Sequence, residues 1–385
     1  MTTFFVDAPS FEAPDGRADG LNATSPLPGL DKVSSLSLAA GDIVALRAGA
    51  VFHLEPGKAP FVVSVKGSAA APVTFTRYGA GPNPLIKAGG EVGVDLVDSG
   101  FVRIACINVE GGARAAVRLD ARSHHASFEN MDVSEAGFGF EVLGASSRFL
   151  HNNVHDLKMI LNTPGGDDDY GAVAFAIQGN DNEFSFNRVW RAKAASFDYG
   201  FDGGGFEFWK SVKGVVVHHN WVEDSAGFLE AGGEGAQDEL SDIQIFGNVS
   251  YNNDGFQWIH NAPSVGKFGL DVKGLSVHHN TIVEPVARQV IGFDGPVKPG
   301  SFFFTRNLVF APLATVFNQG GRFHFDNFYE LGSRPGWAGE FFGAARFLGG
   351  ADGMFRVKHG EEAERFGAYS LKSGDVGFGA SSCEP

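Results

Sequence analysis

Glu207 in GGFEFW (204–209) and Glu230 in GFLEAGG (227–233) stand 23 residues apart, each in apolar, strand-like text just after a glycine-phenylalanine step. If that interval is one turn of a parallel β-structure, the two carboxyl groups lie about 5 Å apart, one strand spacing. At that separation one carboxylic acid protonates a leaving oxygen while the other attacks the anomeric carbon of a sugar. Mutual repulsion drives their proton affinities apart, which separates acid from nucleophile. Asp202 and Tyr199 in YGFDGG (199–204) lie close enough in sequence to join them. Trp209, Lys210, Trp258, His260, Tyr170 and Asp169 form the candidate substrate-binding set, because aromatic faces stack on sugar rings and the polar groups fix orientation. The plainer alternative is that the two glutamates are solvated, or paired as structural ions with Lys210 or Arg191.

These residues need elements that hold them one turn apart, and a recurring phrase supplies them. An apolar stretch, an asparagine and a second apolar stretch appear around Asn152, Asn187, Asn220, Asn248, Asn280 and Asn307. Weaker copies lie at Asn108, Asn130 and Asn327, and the spacings run from 20 to 35 residues. A repeat of that length, varied by insertion, marks a coiled solenoid. Apolar residues alternate within each copy, as in VVVHH (215–219) and IQIFG (243–247), which is strand periodicity. The asparagines are expected to stack at one corner as a hydrogen-bonded ladder, with the phenylalanines stacked inside. The expected fold is therefore all-β, a right-handed parallel β-helix of roughly ten coils. It is read as one unit over 1–385: an N-terminal cap and first coils at 1–90, regular coils at 91–330 and a closing tail at 331–385. Insertions fall at 158–175 and 191–206. Insertions on one side of a solenoid usually build its working face.

Composition narrows the partners. Thirty lysines and arginines against 45 acidic residues give a net charge of −15, which argues against nucleic acid. No apolar run reaches membrane-spanning length. Cys106 and Cys383 have neither metal-ligand spacing nor the pattern of a disulfide framework. The N-terminal residues lack a signal-peptide core, so the chain is either intracellular or has lost a leader, and a secreted or periplasmic location is the expectation. Oligomeric state is not readable.

The opening residues Asp19-Gly20, Ser25-Pro26, Leu30, Ala40-Gly41-Asp42 and Leu46-Arg47-Ala48-Gly49, with the repeats that follow, resemble the pectate-lyase-like β-helix superfamily over nearly the whole chain. That superfamily hosts lyases, hydrolases, epimerases and adhesins, so the resemblance speaks to fold more than to activity. FEFW and FLEAGG are similar to the catalytic strands of β-helix β-xylosidases, with Glu207 where those enzymes carry Asp. YGFDGG is similar to the YGFDPH motif of alginate epimerases, with Gly204 in the histidine position. Lys210-Ser211 before Asn220 resembles a motif of some alginate lyases, with AGG (231–233) in place of RHG. The expected partner is a poly- or oligosaccharide, cleaved by a glycoside hydrolase or transglycosylase without metal or cofactor. A uronate lyase or epimerase is the alternative. There, calcium held by Asp167, Asp168, Asp169, Asp202 or Glu207 would neutralise the substrate, and Lys210, Tyr199 or His218 would take the proton. A non-catalytic glycan-binding surface protein or spike is the third possibility.

Overall fold

A computed structural model describes residues 1–9, 18–57, 59–235, 237–262, 268–349, 355–357, 359–368, 375–377 and 383. Three long sheets of 13, 12 and 10 strands run through it, and their ladders are parallel from coil to coil. The chain visits them in rotation. Strand 183–185 lies in the first sheet, 188–190 in the second and 204–209 in the third, and the next circuit passes through 216–218, 221–223 and 229–232. This is a parallel β-helix, with all three sheets facing one shared core.

Ring stacking along the axis explains the abundance of phenylalanine. On the first sheet Phe128, Phe149 and Phe184 stack in nearly parallel planes at 4.9 and 4.7 Å, and on the third sheet Phe140, Phe175 and Phe206 do so at 5.2 and 5.1 Å. All six are fully buried. Alternation along a strand then turns the residue after each of them to the outer side, so burying Phe206 and Phe208 points the half-buried Glu207 away from the core.

The asparagine ladder turns the chain from the first sheet to the second. In each coil a residue in left-handed conformation precedes the asparagine: Phe186 (φ 56°), His219 (55°), His279 (53°) and Arg306 (54°). That conformation costs roughly 1–2 kcal/mol for a side chain other than glycine. The asparagine compensates. The Asn187 backbone N–H and its Nδ2 both donate to Asn220 Oδ1 at 2.9 Å, and Nδ2 also reaches the Phe149 carbonyl at 2.9 Å. The same bonds repeat from Asn152 to Asn327, where Glu340 closes the ladder.

The structure corrects the ends of this ladder. Asn327 is a full member, buried and bonded like the others. Asn108 and Asn130 are not members: Asn130 itself takes the left-handed turn (φ 52°), and Met131 fills the ladder position, donating its N–H to Asn152 Oδ1. Asn108 comes one residue late, after Cys106 (φ 58°) and Ile107, and opens the next strand. A second ladder, between the second and third sheets, runs from Ala192 through Ser225 and Asn253 to Glu284. Burial pushes Glu284 up to about 8 against the hydrogen bonds it accepts from Ser250 and Asn253.

The cysteines are also corrected, since Cys106 and Cys383 form a disulfide. The C-terminal segment turns back along the outside of the coils. Phe355, Ala368 and Val376 cover Trp221, Val249 and Val283 on the second sheet. Gly367 N–H bonds the Arg306 carbonyl, Gly377 N–H the Phe186 carbonyl, and Cys383 reaches the early coils. A return path of this kind has no periodicity, so the sequence pattern did not place the two cysteines together.

Candidate active site

The outer face of the third sheet carries a cleft of about 950 Å³. Its floor follows one register line across the coils: Glu141, Ala176, Glu207, Glu230, Trp258 and Gly292 are successive Cα partners. Glu207 and Glu230 are therefore direct neighbours on adjacent strands. Neither pairs with Arg191 or Lys210, which are bound to Asp156 and Glu234.

One wall comes from two antiparallel hairpins, 159–161 with 170–171 and 194–196 with 200–202. Both leave the helix at the turn from the second sheet to the third. Asp169 fastens them together. Its Oδ2 accepts from Ser196 Oγ (2.8 Å), Phe197 N–H (2.8 Å) and Asp198 N–H (3.1 Å), and its Oδ1 accepts from Thr163 N–H (2.7 Å). Burial alone would raise Asp169, but these bonds outweigh it and hold the carboxyl below the usual range. Asp198 Oδ2 answers by accepting from the N–H groups of Asp168 and Asp169. The clamp presents Tyr170, Tyr199 and Phe201 on the rim, all exposed. Tyr199 donates to Asp167 at 2.8 Å; burial and that partner push its hydroxyl up, so it stays protonated.

Asp202 ends the second hairpin beside the glutamates. Burial, then the charge of Glu230, pushes it up to about 7 against the hydrogen bond from Gly203 N–H. Glu207 is pushed well above the carboxylate range by burial first, then by the charges of Glu230 and Asp202, with His260 opposing. Glu230 has a different environment. His260 Nε2 lies 3.0 Å from its Oε1, and His260 Nδ1 lies 2.7 Å from Asp294 Oδ2. Burial works against protonating His260, yet the two carboxylates lift it to about 9. An imidazolium thus stands against Glu230 at neutral pH, while Glu207 is the carboxyl of the pair pushed toward its protonated form.

The two tryptophans on the floor rest on glycines. A Cβ on Gly232 would meet Trp209 ring carbon at 2.4 Å, and one on Gly292 would meet Trp258 at 2.1 Å. Each indole lies across the backbone of the next coil, and Trp258 Nε1 donates to Asp294 Oδ1 at 3.0 Å. Lys210 lines the far wall, paired with Glu234 at 2.8 Å. All ten candidate residues line this one cleft. Sequence reasoning missed Asp294, Phe268, Glu234 and Gln257. The amide of Gln257 is buried with no hydrogen-bond partner among the described residues, on a cleft-lining strand. The signal for Asp294 was present: it lies 34 residues after His260, about one coil.

A calcium site was tested against the donor set. Asp168, Asp169 and Asp198 bring carboxylate oxygens within 4.8 Å of one another. Both Asp169 oxygens and one of Asp198 are already acceptors for hairpin N–H and Oγ–H groups, so the cluster fits a backbone clamp better than a cation site. Glu207 belongs to the carboxylate group around Glu230, and Asp202 feels Glu230 more strongly than it feels Asp169.

No protein-family description and no curated relative matches the chain. Solved structures do. Pectate lyase Pel9A is similar over 94% of this chain and 90% of its own, with a TM-score of 0.66 at 14% identity. The chain is a right-handed parallel β-helix of the pectate-lyase-like fold. A mannuronic acid specific polysaccharide family 6 lyase from human gut microbiota matches 90% of this chain and 83% of its own, with a TM-score of 0.55 at 11% identity. An alginate lyase from Paenibacillus sp. str. FPU-7 matches 85% and 97%, with a TM-score of 0.52 at 12% identity. At such identities the likeness concerns the β-helix itself, and activity has to be argued from the cleft.

Proposed function

We propose that this β-helix is a carbohydrate-active enzyme that cleaves glycosidic bonds by hydrolysis or transglycosylation, with Glu207 as general acid and Glu230 as nucleophile. The observation that carries the reading is the in-register pairing of the two glutamates in opposite electrostatic settings. Strand neighbours of this kind have the close carboxyl spacing of retaining glycosidases rather than the wider one of inverting enzymes. Glu207, kept protonated, gives its proton to the glycosidic oxygen as the bond to the anomeric carbon breaks. Glu230 Oε2 attacks that carbon while His260, braced by Asp294, holds Oε1. Glu207, now a carboxylate, takes a proton from the incoming water, which displaces Glu230 and restores both groups. Asp202, at about 7, is poised to exchange protons with this pair. Asp169 and Tyr199 act as positioning residues that hold the hairpin wall.

Charge favours this reading over elimination. A uronate lyase must neutralise the substrate carboxylate, and among the described residues the cations lining the cleft are already paired: Arg114 with Glu141, Lys210 with Glu234, and His260 with Glu230 and Asp294. The second reading is a uronate polysaccharide lyase with Lys210 as base, motivated by the lyases that share the fold. The disulfide supports an oxidising, extracytoplasmic location. Among the described residues no helix is long and apolar enough to cross a membrane.

The test is a pair of single variants, Glu207→Gln and Glu230→Gln, assayed for release of reducing ends. Each is expected to lose at least about a hundredfold in rate. Full activity in either removes that residue from the mechanism.

A further inference from the structure

The register line on the cleft floor has a gap beside the glutamate pair. On the early side of Glu207 stands Ala176, and one coil further the Arg114–Glu141 ion pair closes the floor. Ala176 is itself buried against Phe138 and Val173, and its short side chain lets the cleft continue between Glu207 and that ion pair, beside Tyr170 and Gln178. On the late side, the Trp258 indole lies over Gly292, is pinned by Asp294 and is 40% exposed. Between these two features the edge of the floor is bare backbone. A Cβ on Gly204 would meet the Gly227 carbonyl, and one on Gly227 would face only the Gly255 carbonyl at 3.8 Å.

The lined region runs from Phe138 to Val290, five steps of ~4.8 Å or about 24 Å, with the glutamates near its middle. That length accommodates several sugar rings on both sides of the scissile bond. Seven acidic residues line the cleft: Asp168, Asp169, Asp202, Glu207, Glu230, Glu234 and Asp254. Its cations are bound to carboxylates, and Lys193, near the rim, is bound to Asp254. Among the described residues, a uronate or sulfated sugar would find repulsion and no unpaired counter-charge.

We infer that the cleft binds an uncharged oligosaccharide across the glutamate pair, with one ring seated in the gap over Ala176 and another stacked on Trp258. The ligand class rests on the glycosidase reading; the two subsites rest on the shape of the floor.

The experiment uses the full chain carrying Glu207→Gln, so that ligand is bound and not consumed. Neutral cello-, xylo-, manno- and galacto-oligosaccharides of two to six units are titrated by calorimetry, beside tri-galacturonate and tri-mannuronate. We expect a neutral series to bind with affinity that rises with length, and the uronates not to bind. Adding Ala176→Trp, which fills the gap, or Trp258→Ala, which removes the platform, should each weaken binding about tenfold or more. Trp258 lies at the surface, so its variant carries the test if Ala176→Trp does not fold. Binding of uronates in preference to every neutral sugar, unchanged affinity in the folded variants, or no neutral binding at millimolar concentration would overturn the proposal. Binding that depends on Ala176 and Trp258, in a wild-type chain that releases no reducing ends, would keep the subsites and remove the hydrolase reading. Turnover by wild type with unweakened binding in both variants would do the reverse.

Discussion

Replacing Glu230 by Gln should lower the pKa of His260, and the structure sets the size of the change. His260 Nε2 sits 3.0 Å from Glu230 Oε1, and this contact together with Asp294 lifts the imidazole to about 9. The glutamine keeps a hydrogen-bond acceptor and removes the charge. A unit pair at that distance is worth about 1.4–2.8 kcal/mol for an effective dielectric between ~80 and ~40, appropriate to a water-filled cleft, or roughly 1–2 pKa units. His260 should then titrate at about 7–8, still above its ordinary value because Asp294 remains. Asp202 should fall from about 7 toward the usual carboxylate range, since the charge of Glu230 is one of the causes that raise it. The assay is an NMR titration of selectively ¹³C-labelled histidines, with the His260 signal assigned by its loss in His260→Gln. The linkage follows the same sign. A raised histidine contributes stability that is fully present below about 6.5 and is lost as pH rises through about 9, so the wild type should lose this share between those values and the variant should lose it earlier. An unchanged His260 titration in Glu230→Gln would refute the contact on which the acid and nucleophile assignments depend.

Other consequences are structural. Asn220→Ala strips the buried Asn187 N–H and the Phe184 carbonyl of their partners, so a loss of about 2–5 kcal/mol is expected in chemical denaturation; a loss below ~0.5 kcal/mol would show that the ladder is replaceable. Gly292→Ala puts a methyl into the space of the Trp258 ring, so it should shift tryptophan fluorescence and weaken oligosaccharide binding while leaving the backbone circular dichroism unchanged; an unaltered emission spectrum would contradict the floor geometry. Cys383→Ser frees the returning tail from the early coils and should cost about 2–5 kcal/mol; equal stability of the oxidised and variant chains would mean that the apolar contacts of Phe355, Ala368 and Val376 suffice.

The coils were legible because a solenoid writes its geometry into the chain as a period. Each asparagine performs the same task as the one before it, so Asn187, Asn220 and Asn248 betray one another. Asn130 misled because a side chain that accepts a left-handed turn looks the same in sequence as one that caps it, and Asn108 because it stands one residue past the ladder position, at the start of a strand. Glu207 and Glu230 were legible for the same reason as the ladder: 23 residues is one coil, and the apolar residues flanking each, Phe206 and Phe208 or Leu229 and Ala231, face the core. What escaped has no period. The disulfide joins a tail that runs against the repeat, and Glu284 ends a ladder made of serine, asparagine and glutamate in turn. Asp294 acts through its contacts with His260 and Trp258, and the one-coil interval from His260 is its mark in the sequence, since nothing within FDGP itself points to it. The hairpins could be located as insertions, but not the way Asp169 ties them to each other, because that bond joins two non-repeating insertions across 27–29 residues, a full coil of strands.

The most direct test of the central claim is a panel of neutral and uronate polysaccharides incubated with the wild-type chain, with and without chelator. Products are read by reducing-end release and by ultraviolet absorbance of unsaturated ends. The account predicts reducing ends without absorbance, from a neutral glycan, insensitive to chelator and abolished in both Glu207→Gln and Glu230→Gln. Reducing ends accompanied by absorbance, from a uronate polymer and lost on chelation, would contradict it and transfer the chemistry to Lys210 and the acidic hairpin cluster.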